Sequence, residues 1–181
     1  MMALMRKVLD GLYLGCGWLA AVFLAGIGAL MLGQAVLREL GVLVRGADDI
    51  TAWFCAASAF LALPHAFKNG DLVRVGLVLE HLNERQRRWF EIYSLTAAAA
   101  FAGYMAYALG GYVLQSWKFN DLAQGLIKMP LWIPQSSLLV GTAVLFIAVL
   151  DELVLVLQRA LPSYRVAEEE RIARGDFSET V

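Results

Sequence analysis

Four stretches of this chain carry no Asp, Glu, Lys or Arg: Gly11 to Leu37, Ile50 to Phe67, Ile92 to Trp117 and Met129 to Leu150. A hydrocarbon core about 30 Å thick is crossed by roughly 20 helical residues, so each stretch is long enough or nearly so to span a bilayer. Hydrophobic residues make up 60% of the chain and charged residues 17%, a balance that a soluble domain could not bury. The sequence therefore predicts an all-α integral membrane protein with four transmembrane helices. The spans hold none of the ionisable side chains that carry protons or bind ions within lipid.

The net charge of −1 conceals an asymmetry that sets orientation. Arg6 and Lys7 precede the first span, and Lys68, Arg74, Arg85, Arg87 and Arg88 fall between the second and third. Arg159, Arg165, Arg171 and Arg174 follow the fourth. The other two loops hold only Arg38, Arg45, Lys118 and Lys128, so the division is eleven to four. The positive-inside rule then predicts that both termini and the middle loop are cytoplasmic. Arg6 and Lys7 before an apolar run also resemble a signal peptide, but the run is too long for that and lacks a convincing small-residue cleavage site. Nothing in the charge pattern supports nucleic-acid binding.

Each join carries its own signal. Gly11 and Gly15 form a G-x-x-x-G pair, continued by Gly17, Gly26, Gly28 and Gly33. The third span presents Ala97 to Ala100, Gly103, Ala106 and Gly110. Such small surfaces let helices approach closely, within the chain or against a partner. Trp53, Trp89, Trp117 and Trp132 lie near span ends, where an amphipathic ring bridges lipid and water. Asp48 and Asp49 precede the second span, where capping of its first N–H groups is favoured over an ion-binding role. Pro130 and Pro134 bracket Leu131-Trp132-Ile133 at the start of the fourth span; proline is tolerated in a first helical turn. Cys16 and Cys55 lie inside spans and read as small apolar packing residues.

Between the second and third spans, Asn69-Gly70-Asp71 reads as a turn, and Leu72 to Leu82 is apolar but interrupted by Arg74, Glu80 and His81. With the arginines that follow, residues 71–88 are expected to form an amphipathic helix lying on the cytoplasmic surface. The chain divides into a four-span membrane domain, residues 1–161, and a polar cytoplasmic tail, residues 162–181, with too little apolar surface to fold alone.

Taken in order, these features resemble a family. Arg38 and Gly41 follow the first span, Asp48-Asp49 precede the second, Gly70-Asp71-Leu72-Val73-Arg74-Val75 follow it, and Met129 to Pro134 with Gly141 open the fourth. The arrangement is similar to the small membrane subunit, DctQ type, of tripartite ATP-independent periplasmic (TRAP) transporters. It departs from the family at Ala47-Asp48-Asp49, where related proteins often have a Trp and a Glu pair. Further departures are Asp71 beside Gly70, in place of a frequent His, and Gly76 after Val75, in place of an acidic residue.

The resemblance implies a non-enzymatic scaffold subunit of the bacterial inner membrane. Its partners would be a large multispan subunit, a periplasmic substrate-binding protein and the surrounding lipids. Uptake of organic acids would be driven by a sodium or proton gradient coupled in the large subunit, and this chain would need no cofactor. Arg38, Asp49, Gly70, Asp71, Arg74, Pro130, Trp132, Pro134 and Gly141 would then be partner-interface or structural positions. The alternative is a four-span assembly or structural subunit of another membrane complex. A haem protein is disfavoured because only His65 lies in a span. A proton-coupled exporter would want an intramembrane carboxylate, and a hydrolase would need a partner for Ser58, Ser94 or Cys55 beyond His65.

Overall fold

A computed structural model describes residues 2–69 and 84–158. Among these residues are four helices: α1, Met2–Glu39; α2, Ala47–Asn69; α3, Glu84–Phe119; and α4, Trp132–Leu157. All four are long and apolar enough to cross a membrane. The first three charge-free stretches lie within longer helices, and charged residues occupy the ends of those helices. The fourth helix departs most from expectation: it begins at Trp132 and runs seven residues past Leu150, taking Asp151 and Glu152 into the helix. Its later start has a local cause, because residues 121–131 pair among themselves. Ala123 donates to the Met129 carbonyl at 2.9 Å, and Leu131 donates to that of Asp121 at 2.9 Å.

Packing follows the order α1, α2, α4, α3, with α1 touching α4 only lightly. The helices thus form a row, with α2 and α4 inside and α1 and α3 as its flanks. The seams are lined mostly by small or slender residues, among them Cys16 and Ala20 on α1, Ala57 on α2, Ala99 on α3 and Ala148 on α4. In lipid no hydrophobic drive pulls helices together, so association depends on close packing of this kind.

The tightest approach is between α2 and α4. A Cβ on Gly141 would stand 2.5 Å from the Phe60 carbonyl oxygen and 3.0 Å from the Leu61 nitrogen, so only glycine fits. Pro64, buried inside α2, explains the position of that carbonyl. Proline has no N–H, so the Phe60 oxygen four residues earlier loses its helical donor and lies against Gly141 instead. On the α1 side, Gly17 packs on the His65 ring and Gly26 on Phe54. The Gly11 and Gly15 pair has nothing within 4 Å of where a Cβ would stand and takes no part in these seams.

Two helices end in the same device. Val42 donates to Leu37 at 2.8 Å and Gly41 to Arg38 at 3.0 Å, with Gly41 at φ 77°. Asp121 donates to Ser116 at 3.0 Å and Asn120 to Trp117 at 3.4 Å, with Asn120 at φ 52°. Both are Schellman turns with a left-handed residue just past the helix, Gly in one and Asn in the other. The two turns stop α1 and α3 at the same end of the row, beside the first turns of α2 and α4.

Candidate interaction surfaces at the two ends of the row

The end formed by residues 40–46 and 120–131 is closed by Asp49. Its carboxylate, in the first turn of α2, accepts hydrogen bonds from the backbone N–H groups of Leu126 at 2.8 Å and Ile127 at 3.4 Å. Asp49 therefore ties its helix to the α3–α4 connection, where capping of its own helix was expected; both it and Asp48 still complement the positive end of the α2 dipole. Gly125 is required beside it, since a Cβ there would overlap the Asp49 carboxylate. Gly46, at φ 88°, carries the chain into α2 so closely that a Cβ would stand 2.6 Å from the Ile127 side chain. Pro130 pairs with Leu122 across a single antiparallel bridge. Trp132 opens α4 half-buried, and Pro134 falls in the first turn, where its missing N–H costs no helical bond. Arg38 is exposed in the last turn of α1, complementing the negative end of that helix.

The opposite end is held by side chains. Lys68 at the end of α2 forms an ion pair with Asp10 on α1, and its ammonium stands 4.9 Å from the centre of the Tyr13 ring. Arg88 on α3 donates to the carbonyls of Leu157 at 3.3 Å and Val156 at 3.5 Å, satisfying part of the last turn of α4. Glu91 and Glu152 are buried nearby in sequence terms, on α3 and α4 respectively. His65 is half-buried and shares a 3.0 Å hydrogen bond with Asn69. In the sequence Lys68 and Arg88 mark orientation only; the signal for a contact at this end is the placing of Asp10 one residue before the first charge-free stretch and of Glu152 two residues after the fourth.

Of the positions expected to matter, the structure brings Asp49 to the α3–α4 connection and places Gly141 in the α2–α4 seam. Pro130, Trp132 and Pro134 lie together at the start of α4. Gly70, Asp71 and Arg74, residues 71–83 of the surface helix expected over 71–88, and the tail from 162 onward lie outside the described residues; residues 84–88 form the start of α3. Ser58 and Ser94 turn their hydroxyls back onto their own helix, to the carbonyls of Cys55 at 2.9 Å and Glu91 at 3.1 Å. Cys16 is buried and Cys55 exposed, and both are free thiols. Among the described residues, no group of three or more His, Cys, Asp or Glu could hold a metal ion. A shallow apolar groove runs between α1 and α2 past Ala21, Ser58 and His65.

The fold and its two ends define a multi-pass membrane protein in which Asp49, Lys68, Asp10 and Arg88 join one helix or connection to another. Residues 27–159 match the family of tripartite ATP-independent periplasmic transporters, DctQ component. The chain belongs to that family, and it is a small component of a TRAP transporter and not an enzyme. No curated protein matches this chain.

Proposed function

We propose that this subunit braces a large translocating subunit in the bacterial inner membrane during gradient-driven uptake of organic acids. The observation that carries the reading is the build of the row itself. Its central seam rests on backbone against backbone at Gly141 and Phe60, one end is tied by Asp49, and the other by Lys68 and Arg88. A partner that moves one of its domains against another needs a part that stays fixed, and a row of helices closely packed at its centre and tied at both ends suits that task. An ionised solute or Na⁺ crossing lipid needs charges, interrupted helices or carbonyl cages at mid-depth. The described charges of this chain gather at helix ends, which supports assigning translocation and its coupling ion to the large subunit and solute capture to a periplasmic binding protein.

The test is uptake in vesicles. This chain alone should accumulate no organic acid under a sodium or proton gradient, while the chain with its large subunit and binding protein should do so. Gradient-driven uptake by the single chain would end the scaffold reading.

The proposed orientation, with both termini cytoplasmic and the Asp49 end periplasmic, is supported by the eleven-to-four distribution of Lys and Arg. In a background lacking Cys16 and Cys55, Arg45→Cys should react with an impermeant thiol reagent applied outside intact spheroplasts, and Arg6→Cys should not. The reverse pattern would invert the topology.

A further inference from the structure

The outward face of α3 is built differently from the rest of the row. Tyr93, Ala97, Ala100, Tyr104, Tyr107 and Gly111 follow one another at intervals of four, three, four, three and four residues, and all six are exposed. That spacing places them in one stripe along the helix. Half a turn round, Leu95, Ala99 and Ala102 are buried, and Gly103 packs on Phe146 of α4. The stripe therefore points directly away from the row. Large knobs at Tyr93, Tyr104 and Tyr107 flank small gaps at Ala97, Ala100 and Gly111, a surface that a second helix packs into.

Depth makes this stripe more than a surface for lipid. Tyr104 and Tyr107 are 72% and 82% exposed, and neither hydroxyl has a hydrogen-bond partner among the described residues. The candidate span in α3 runs from Arg88 to Phe119, which places Tyr104 at its middle. At about 1.5 Å per residue, Tyr104 stands roughly 22 Å along the axis from either end. A bilayer core extends only about 15 Å either side of its centre, and a phenol reaches about one helical turn, so these hydroxyls cannot reach the interfacial belt where tyrosine normally sits. In hydrocarbon each would be a polar group with no partner.

We propose that this stripe of α3 is where the large subunit docks, one of its transmembrane helices lying in the gaps at Ala97, Ala100 and Gly111 and offering acceptors to the Tyr104 and Tyr107 hydroxyls. The inference rests on the scaffold reading above and specifies the contact. The large subunit fits better than a second copy of this chain because a protein that passes ionised solutes carries polar groups and interrupted helices at mid-depth. The helices of this chain offer little of the kind: the Phe60 carbonyl freed by Pro64 is covered by Gly141 inside the row.

The experiment uses this chain co-expressed with its large subunit in native membranes, with the photoreactive residue benzoylphenylalanine placed at position 100 or 107. A third variant carries it at position 22, an exposed position on α1. Irradiation should yield adducts with the large subunit from 100 and 107 and not from 22. Adducts with a second copy, or with lipid alone, from 100 and 107 would overturn the proposal. Adducts with the large subunit from 22 alone would overturn it while leaving the scaffold reading intact. Failure of the unmodified chain to co-purify with the large subunit would end both. Tyr104→Phe and Tyr107→Phe preserve shape and remove only the hydroxyls, and each should weaken recovery of the large subunit by roughly threefold. Unchanged recovery in the double variant would also overturn the proposal.

Discussion

The two ends of the helix row are fastened by opposite means. At the end holding residues 40–46 and 120–131, two helices stop in Schellman turns, and a carboxylate near its own backbone grips two amides of another connection. At the other end, long side chains reach between helices: Lys68 to Asp10, and Arg88 to the last carbonyls of α4. Few rotatable bonds separate the Asp49 carboxylate from its backbone, so holding it costs little entropy. Lysine and arginine lose much more rotamer freedom when held. The first end should thus be the stiffer and the second the more yielding.

The largest effect should come from the stiff end. Asp49→Ala leaves the Leu126 and Ile127 amides without their acceptor, and a hydrogen bond to a charged group contributes about 1.5 to 3 kcal/mol. Because Leu126 is exposed and water can replace part of the loss, a decrease near the lower value, about 1.5 kcal/mol, is expected. Gly125→Ala attacks the same contact from the loop side and should destabilise by a similar amount. Combining the two should add little, since they break one contact. The measurement is the denaturation midpoint of the detergent-solubilised subunit, with the double variant closing the cycle. Full additivity would show that Asp49 and Gly125 act separately, and the comparison between the ends would lose its basis.

How legible these features were in the sequence depends on how far apart their parts lie along the chain. The four helices could be read directly, because a charge-free run of this length has few other fates. Gly41 after Arg38 also marked a helix end locally. The partner of Asp49 could not be read, as it lies 77 residues away and its donors are backbone amides that any residue supplies. Gly141 was singled out by its place in a family pattern. The reason for it is Pro64, a proline inside a charge-free span that frees the Phe60 carbonyl, whose place against Gly141 depends on how α2 and α4 pack. In the sequence the third span presents one small-residue surface, but the structure divides it: Gly103 faces α4, and Ala97 and Ala100 face outward among tyrosines. The 4-3-4-3-4 spacing of that stripe was countable, but its exposure needed the packing order of the helices.

The smallest effect belongs to the ion pair between Lys68 and Asp10. Their side chains are 21% and 53% exposed, so water and salt screen the attraction, and such pairs contribute about 0.2 to 1 kcal/mol. Lys68 has a second contact, over the buried ring of Tyr13, and a cation beside an aromatic face adds a comparable amount where it is partly desolvated. Asp10→Asn should therefore cost only a few tenths of a kcal/mol, and Lys68→Met somewhat more, because the methionine loses both charge contacts. Raising salt from low to about 0.5 M should erase most of the Asp10→Asn difference and leave the Asp49→Ala difference nearly unchanged, since the Asp49 contacts are short-range hydrogen bonds. Denaturation midpoints of the three variants at two salt concentrations decide the matter. If Asp10→Asn proved as costly as Asp49→Ala and insensitive to salt, the pair would be a rigid fastening. The contrast between a stiff and a yielding end would then have to be given up.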